Sequence, residues 1–527
     1  MSKTGDIAKV SAKGSIDLLW GLIVSTVISA VGTIFIARLL GSDEYGLYTV
    51  VLTVPTIIGI FRDWGVNSAM IKFTAQFRAE GRTDEIRSIF LTGLLFEVAV
   101  GLVLSIVSFF IADFLAISVL NRPTIAPLIQ IASLSILASG LINAATAVFT
   151  GYERMKLNSI MLISQSIIKT ATIIGLVIVG LASTGATIGY TAGIIIAGLI
   201  GLALIRVIYM QLPKPFSNKQ EIKAYLSVML MYCLPLSIGT IITALLTQFY
   251  AFLLPIYYSA DNVQIGNYGV AINFVVLITF FAQPVATMMF PAFSKLDAQK
   301  DKESLRNIFR YSIKYASLLV LPAAALVICL SEPAVETLFG TSYLTAPLYL
   351  ALFAIQYLYT ALGNLTIGGF LNGQGRTNFT LKMNLLTGAI GFPLGYLLIM
   401  NYGVLGLIAI TLVASIPSLL MALGYIKKSY GFTVDWGASA KILFSALLSA
   451  AVTYFALSMV NFAAFIELLL GVCIFAAVLA PSILLSGSIS RSDIANLRFM
   501  AGSTGALSGI INKLLNCIDR IMIALGR

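Results

Sequence analysis

The sequence predicts an all-α membrane protein with about fourteen transmembrane helices, arranged as two six-helix lobes plus two C-terminal helices. Composition is the first reason: 59% of the 527 residues are hydrophobic and only 10% are charged, whereas soluble proteins carry about a quarter charged residues. The second reason is that the apolar residues come in runs of roughly twenty, long enough to cross a hydrocarbon core of about 30 Å. The third is an internal repeat of about 220 residues.

The predicted crossings follow the apolar runs, and charged residues, glycine and proline set their ends. The first run, 18–40, is too long for the core of a signal peptide and lacks a small-residue cleavage site, so we interpret it as the first crossing. The predicted spans are 18–40, 45–61, 89–112, 125–150, 157–181, 186–208, 228–256, 263–290, 312–331, 345–371, 378–400, 402–426, 441–461 and 463–485.

Lysine and arginine are distributed unevenly between the two sides when the runs are read as alternating crossings. Only Arg38 and Arg122 fall on the outer side and Lys169 lies within a helix, while the remaining basic residues fall on the side of both termini. The positive-inside rule therefore predicts that both termini lie in the cytoplasm, and the expected location is the plasma membrane. The formal net charge of +11 is then a topology signal, and nucleic acid is not an expected partner.

The repeat predicts two related six-helix lobes. Segment 70–90 aligns with 289–309, and 151–158 aligns with 373–380, at nearly the same spacing. Because each copy has an even number of crossings, both enter the membrane from the same side, and we expect a cleft between two bundles. The predicted domains are an N-lobe at 1–209, a cytoplasmic linker at 210–227, a C-lobe at 228–428, helices thirteen and fourteen at 429–485, and a cytoplasmic amphipathic tail at 486–527. The tail is predicted to lie on the membrane surface or to pack against the bundle.

Several kinds of chemistry are disfavoured by what the sequence lacks. Histidine is absent, the four cysteines are far apart with no C-x-x-C spacing, and no Walker-type phosphate loop occurs. The outer loops are short and contain few acidic residues, unlike those of a membrane glycosyltransferase. We therefore predict no metal site, no cofactor, no catalytic residue and no enzymatic activity.

Charged residues at membrane depth are the informative ones, since burying a charge there costs about 3 kcal/mol or more. Glu97 and Lys169 lie within predicted helices three and five, and two hypotheses stay open for them. In the first hypothesis, Glu97 and Lys169 form a structural or ion-coupling pair. In the second, Lys169 contacts an anion in the cleft. Arg38 and Arg62 mark opposite ends of the first two helices. Each is an interfacial residue, or both join Lys169 in binding a phosphate-bearing headgroup.

The stretch 37–73 carries the most specific pattern in the chain. Gly41 is predicted to end the first helix with a turn that requires positive φ, and acidic residues then begin the next helix. The stretch resembles the polysaccharide-exporter family, flippases for lipid-linked oligosaccharides and O-antigen units within the multidrug/oligosaccharidyl-lipid/polysaccharide (MOP) superfamily. The matching motif residues are Arg38, Gly41, Glu44, Tyr45, Gly46, Asp63 and Gly65.

The resemblance implies two lobes forming a V, alternating access, and a polyprenyl- or dolichyl-(pyro)phosphate sugar as substrate. It implies movement of the headgroup from the cytoplasmic to the outer leaflet, with glycan polymerase or ligase enzymes as prospective partners. Two other functions stay open. A multidrug or cation antiporter of the same superfamily would need a buried carboxylate, for which Glu97 is the candidate. A non-transporting scaffold would recruit cell-wall enzymes without moving lipid.

Overall fold

The computed structural model describes residues 3–210, 212, 219–258, 261–296, 300–460, 462–489, 493, 494, 498, 509 and 516. The described residues form fifteen α-helices and four short π or 3₁₀ segments, joined by turns and loops. The α-helices are α1 Lys3–Ile60, α2 Val66–Glu80, α3 Thr83–Phe114, α4 Ala126–Gly151, α5 Met155–Leu176, α6 Ala182–Tyr209, α7 Lys219–Tyr257, α8 Asn262–Lys295, α9 Lys302–Cys329, α10 Ser331–Phe339, α11 Ala346–Ala354, α12 Asn364–Gly373, α13 Thr377–Tyr430, α14 Trp436–Ser458 and α15 Ala464–Leu485.

The chain is a multi-pass membrane protein. Among the described residues, nine helical segments are long and apolar enough to cross a bilayer, or ten if α11 and α12, bent by 50°, count as one span. Three of the nine are much longer than one crossing needs at about 1.5 Å per residue. They are Trp20–Ile60, Met155–Tyr209 and Thr377–Tyr430, of 41, 55 and 54 residues.

Each of these three long segments is interrupted at a glycine with positive φ. Gly41 has φ 72 and ψ 175, Gly180 has φ 94 and ψ 13, and Gly403 has φ 54 and ψ −126. The conformation of Gly41 lies in a region that only glycine adopts readily. The interruptions coincide with the predicted span ends near 40, 181 and 400, because positive φ stops the regular hydrogen-bond ladder of an α-helix.

The helix bounds repeat along the chain as the sequence alignment predicts. Thr83 and Lys302 begin α3 and α9, and Met155 and Thr377 begin α5 and α13, each pair about 220 residues apart. The two copies differ at their fourth helix. α4 is continuous, whereas the corresponding α11–α12 segment is broken at Gly363, which has φ 87.

Two helix boundaries differ from the sequence prediction. The second predicted span ends at residue 61 and a cytoplasmic gap follows, but the chain resumes as helix α2 after only five residues. The predicted linker 210–227 is partly helical, since α7 begins at Lys219. In both cases a polar, charged sequence is helical, which sequence hydropathy does not reveal.

The chain divides into two compact units. Unit 1 comprises residues 1–274, 338–349 and 381–418, and unit 2 comprises 275–337, 350–380 and 419–527. These units do not follow the boundaries predicted for the two lobes, and the domain division stays a prediction. The unit 1 core includes Phe90, Phe149 and Met161, and a core cluster of unit 2 includes Leu321, Ala325 and Phe475.

The turn between α2 and α3 is held by exposed ion pairs. The Arg82 guanidinium contacts Glu85 and Glu80 at 2.6 Å each, and Gln76 donates a hydrogen bond to Glu80 at 2.9 Å. The bond from Gln76, followed by that from Arg82, lowers the pKa of Glu80. A carboxyl with a lowered pKa stabilises the fold above its unfolded pKa and loses that contribution as the pH falls.

The beginning of the predicted tail is anchored in unit 2. Asp493 is fully buried, its Oδ2 lies 2.5 Å from Lys314 Nζ on α9, and Tyr315 donates a hydrogen bond to its Oδ1 at 3.2 Å. Most of 486–527, including the predicted amphipathic helix, lies outside the described residues.

We expect Asp493→Ala to loosen this anchor, because it leaves Lys314 without its carboxylate partner. Limited proteolysis of detergent-solubilised protein should then cleave after α15 several times faster than in the wild type. Glu303→Ala, which removes an exposed carboxylate on α9, is the matched control and should leave the rate unchanged. Equal cleavage of the Asp493 variant and the wild type would contradict the anchor.

Candidate functional site

A helix break places an arginine inside unit 1. α1 ends at Ile60 and α2 begins at Val66, so residues 61–65 form a turn between two helices. Asp63 Oδ1 accepts the Gly65 N–H at 2.8 Å, and Gly65 has φ 86 and ψ 7. The left-handed conformation of Gly65 lets α2 start immediately after the turn.

Arg62, in this turn, forms a buried ion pair. Its Nε lies 3.1 Å from Glu97 Oε2 on α3, with side-chain exposures of 9% and 0%, and its Nη1 donates to the Ile136 carbonyl of α4 at 3.2 Å. Asn67 on α2 donates to Glu97 Oε1 at 2.7 Å. The turn, α2, α3 and α4 therefore meet around one carboxylate, and the charges compensate each other where water is excluded.

A small residue on α4 makes room for this pair. A Cβ placed on Gly140 would lie 3.0 Å from Glu97 Oε2 and 3.1 Å from Arg62 Cδ. Glycine at this position lets the pair occupy the space between α3 and α4.

The hypothesis that Glu97 pairs with Lys169 is wrong in this structure, because Arg62 occupies its carboxylate. Arg62 is only 7% exposed, so its side chain packs against protein, and its placement at the membrane interface stays a prediction. The sequence predicts that the second helix ends at residue 61, whereas the polar turn lies against the middle of α3 and α4 and is followed by another helix.

Lys169 lies on α5 where α5 and α6 touch. A Cβ on Gly193 would lie 2.7 Å from Lys169 Cα, and Thr172 Oγ1 donates to the Lys169 carbonyl at 3.0 Å. The side chain is half-buried and forms no ion pair within the part of the chain that the structure describes. An ammonium that is partly buried without a carboxylate is available to an anionic ligand.

Arg38 lies in α1, three residues before the break at Gly41. It is exposed, and its Nε is 4.0 Å from the position of a Cβ on Gly340. Beside it, Tyr343 donates a hydrogen bond to the Ala37 carbonyl at 2.6 Å. Arg38, Arg62 and Lys169 thus occupy three different environments: exposed, paired and half-buried without an ion pair.

The motif residues that follow Gly41 connect helices. Glu44 Oε2 accepts the Ser183 N–H at 3.0 Å, at the first turn of α6, where a negative charge is favoured by the helix dipole. Tyr45 is 4% exposed, and its hydroxyl accepts a hydrogen bond from Asn273 of α8 at 3.2 Å. The sequence marked these residues as a motif, but their partners are more than a hundred residues away and carry no sequence signal.

Comparison with known proteins identifies relatives along most of the chain. The family model described as "Polysaccharide biosynthesis protein" matches residues 35–347. The chain is 26% identical over 403 residues to the lipopolysaccharide biosynthesis protein WzxC of Escherichia coli K12, covering 72% of this chain and 77% of that protein. It is 21% identical over 470 residues to the probable low-salt glycan biosynthesis flippase Agl15 of Haloferax volcanii, covering 88% and 93%.

Solved structures of a flippase and of a multidrug transporter have a similar fold. The lipid II flippase MurJ in an inward closed conformation matches with a TM-score of 0.70 at 17% identity, covering 88% of this chain and 98% of that one. An inward-facing multidrug resistance MATE transporter of the MOP superfamily matches with a TM-score of 0.58 at 15% identity, covering 79% and 98%. At these identities the likeness shows the fold alone.

Proposed function

Because the chain belongs to the polysaccharide biosynthesis protein family, we propose that it is a flippase for a lipid-linked oligosaccharide. It moves a polyprenyl- or dolichyl-(pyro)phosphate sugar from the cytoplasmic to the outer leaflet, for cell-surface polysaccharide or glycan synthesis. The observation that carries the proposal, beside the family, is Lys169: a half-buried cation on a membrane helix with no ion pair among the described residues. Such a residue suits a phosphate that must cross hydrocarbon.

In the proposed topology the chain crosses the plasma membrane fourteen times, and both termini lie in the cytoplasm. The three long helical segments cross twice each, turning at Gly41, Gly180 and Gly403, and α11–α12 and α8 cross once each. The lobes proposed from the repeat alternate between inward and outward access. A glycan polymerase or ligase would take the sugar on the outer side.

The three basic residues have distinct proposed roles. Lys169 attracts the phosphate within the membrane, and Arg38 receives it at the outer end of the first crossing. Arg62 holds Glu97 in the resting state, so it reaches a headgroup only if that ion pair opens. The guanidinium groups suit phosphate because they can donate two parallel hydrogen bonds.

The membrane potential supplies a driving force in the export direction. A headgroup with about two negative charges gains about 4–5 kcal/mol on moving outward across 100 mV, at about 2.3 kcal/mol per charge. This energy acts without a coupling ion, which suits a site whose deep carboxylate is already neutralised by an arginine.

We expect Lys169→Ala to slow transport of a fluorescent lipid-linked sugar in proteoliposomes by about tenfold, the equivalent of one lost charge-assisted contact. Lys169→Arg should keep most of the activity, because it keeps the positive charge. The matched control is Lys441→Ala, which removes an exposed lysine of α14 in unit 2. Transport by Lys169→Ala at the wild-type rate would remove the proposed phosphate contact.

Transport assays in the same proteoliposomes distinguish the flippase from two alternative functions. A multidrug or cation antiporter, suggested by the fold it shares with MATE transporters, would move a cationic dye when an ion gradient is imposed. It would need a carboxylate that can exchange its proton or ion, whereas Glu97 is occupied by Arg62 and Asn67. A scaffold would bind its partners and move neither lipid-linked sugar nor dye.

A further inference from the structure

One of the two basic residues of the outer side, Arg122, is fixed between two loops. It lies in the connection from α3 to α4 and is 8% exposed. Its Nη1 donates to the side-chain oxygen of Asn262, and its Nη2 donates to the Tyr258 carbonyl at 3.2 Å. Tyr258 directly follows α7 and Asn262 is the first residue of α8, so the guanidinium joins the outer end of α3–α4 to the outer end of α7–α8.

Two hydrogen bonds define the position of Arg122. Burial, the larger effect, lowers the pKa of its guanidinium, and the charges of Asp43, after the Gly41 break of α1, and Asp261, beside Asn262, offset this only in part.

The same place contains a contact between two backbones. A Cβ on Gly46 would lie 1.9 Å from the Asn262 carbonyl oxygen, and a Cβ on Gly266 would lie 1.9 Å from the Ser42 carbonyl oxygen. α1 and α8 thus touch through glycines, and Asn262 takes part in both contacts. Ile265, 2% exposed, completes the contact by packing into a cluster with Val50, Leu120 and Ile125.

We infer that Arg122, Asn262 and the Gly46–Gly266 contact form an outer latch that keeps the outer ends of these helices closed. These contacts join the first sequence copy, residues 1–209, to the beginning of the second copy, so they must separate before a headgroup can leave outward. The inference rests on the proposed transport cycle but involves no substrate residue.

The chemistry of the latch suits reversible opening. Its hydrogen bonds end on groups at the ends of α7 and α8 that water can solvate once the helices part, and its glycines have no side chains to expose. The Arg62–Glu97 pair differs, because opening it would expose two charges to the interior of the helix bundle.

Cysteine labelling tests the latch without substrate. The full-length chain, with Cys233, Cys329, Cys473 and Cys517 replaced, carries the reporter Ile265→Cys in sealed vesicles with the outer face outward. A membrane-impermeant maleimide is added outside. A second reporter, Ala132→Cys, occupies a fully buried position on α4 in the same cluster and should stay protected, because α4 packs within the first copy.

We expect Arg122→Ala to raise the labelling rate of the Ile265→Cys reporter about tenfold, the effect of losing charged hydrogen bonds from the closed state. Arg122→Lys should give a smaller rise, and Gly266→Ala should give a similar rise by forcing the backbones apart. Asp113→Asn, at an exposed residue of α3, is the control and should change neither reporter.

Unchanged labelling of the Ile265→Cys reporter in both Arg122→Ala and Gly266→Ala would overturn the latch. An equal rise at both reporters in both variants would also overturn it, because that result describes general loosening. If labelling rises as expected but no lipid-linked sugar moves in the wild type, the latch stands and the proposed substrate fails.

Discussion

Replacing Glu97 by alanine should destabilise the protein by about 3–5 kcal/mol, because Arg62 would keep a buried positive charge with no carboxylate beside it. Asn67 would lose the acceptor of its 2.7 Å hydrogen bond at the same time. The measurement is thermal unfolding of the purified protein in detergent, followed by its intrinsic fluorescence, where the midpoint should fall by several degrees.

A double-mutant cycle separates the ion pair from general damage to the core. Arg62→Leu alone leaves Glu97 unpaired and should cost a similar amount, whereas the double variant Arg62→Leu/Glu97→Ala should lose much less than the sum of the two single losses. The matched control is Glu153→Ala, which breaks the exposed pair of Arg78 and Glu153 at 2.7 Å and should cost less than about 1 kcal/mol. Additive losses in the double variant would show that Arg62 and Glu97 do not interact.

Gly65→Ala should be the second most damaging single change. Alanine at φ 86 costs about 1–2 kcal/mol. The new Cβ would lie 2.2 Å from Ser237 Oγ and 2.8 Å from Cys233 Cβ on α7, and overpacking of this kind costs about 1–3 kcal/mol more. We expect a lower unfolding midpoint together with reduced transport, since the displaced turn carries Arg62.

Gly59→Ala is the matched control for that experiment. Gly59 lies six residues earlier, within α1, and a Cβ there would meet nothing within 4 Å. Alanine favours helix over glycine, so this variant should be as stable as the wild type or slightly more stable. If Gly65→Ala behaves like Gly59→Ala, the turn is not packed against α7 as described.

The helix breaks could be predicted because each depends on local chemistry. Gly41, Gly180 and Gly403 all fall at the predicted ends of apolar runs, and each has a positive φ that other residues avoid. The repeat could also be predicted from the sequence, because the two copies of the helix pattern keep the same spacing. The continuation of the chain into α2 was missed, because a charged helix that is held by its neighbours has no hydropathy signal.

The environments of the predicted basic residues were harder to foresee. Arg38 and Arg62 belong to the same motif stretch and carry the same side chain, yet one is exposed and the other is buried against Glu97. Asn67 and Gly140, which complete that site, do not stand out in the sequence at all. For Arg122 the sequence predicts only a charge on the outer side, because its contacts with Tyr258 and Asn262 join segments more than a hundred residues apart.

The sequence by itself determined that this chain crosses the membrane many times, where its long helices turn, and that it contains two copies of one helical plan. These properties follow from apolar run length and backbone conformation, which neighbouring residues set locally. Only the tertiary structure decided that Glu97 pairs with Arg62 and that Lys169 forms no ion pair among the described residues. The reason is geometric: the partner of a buried charge depends on the depth at which a broken helix places it, and that depth is set by packing between distant helices.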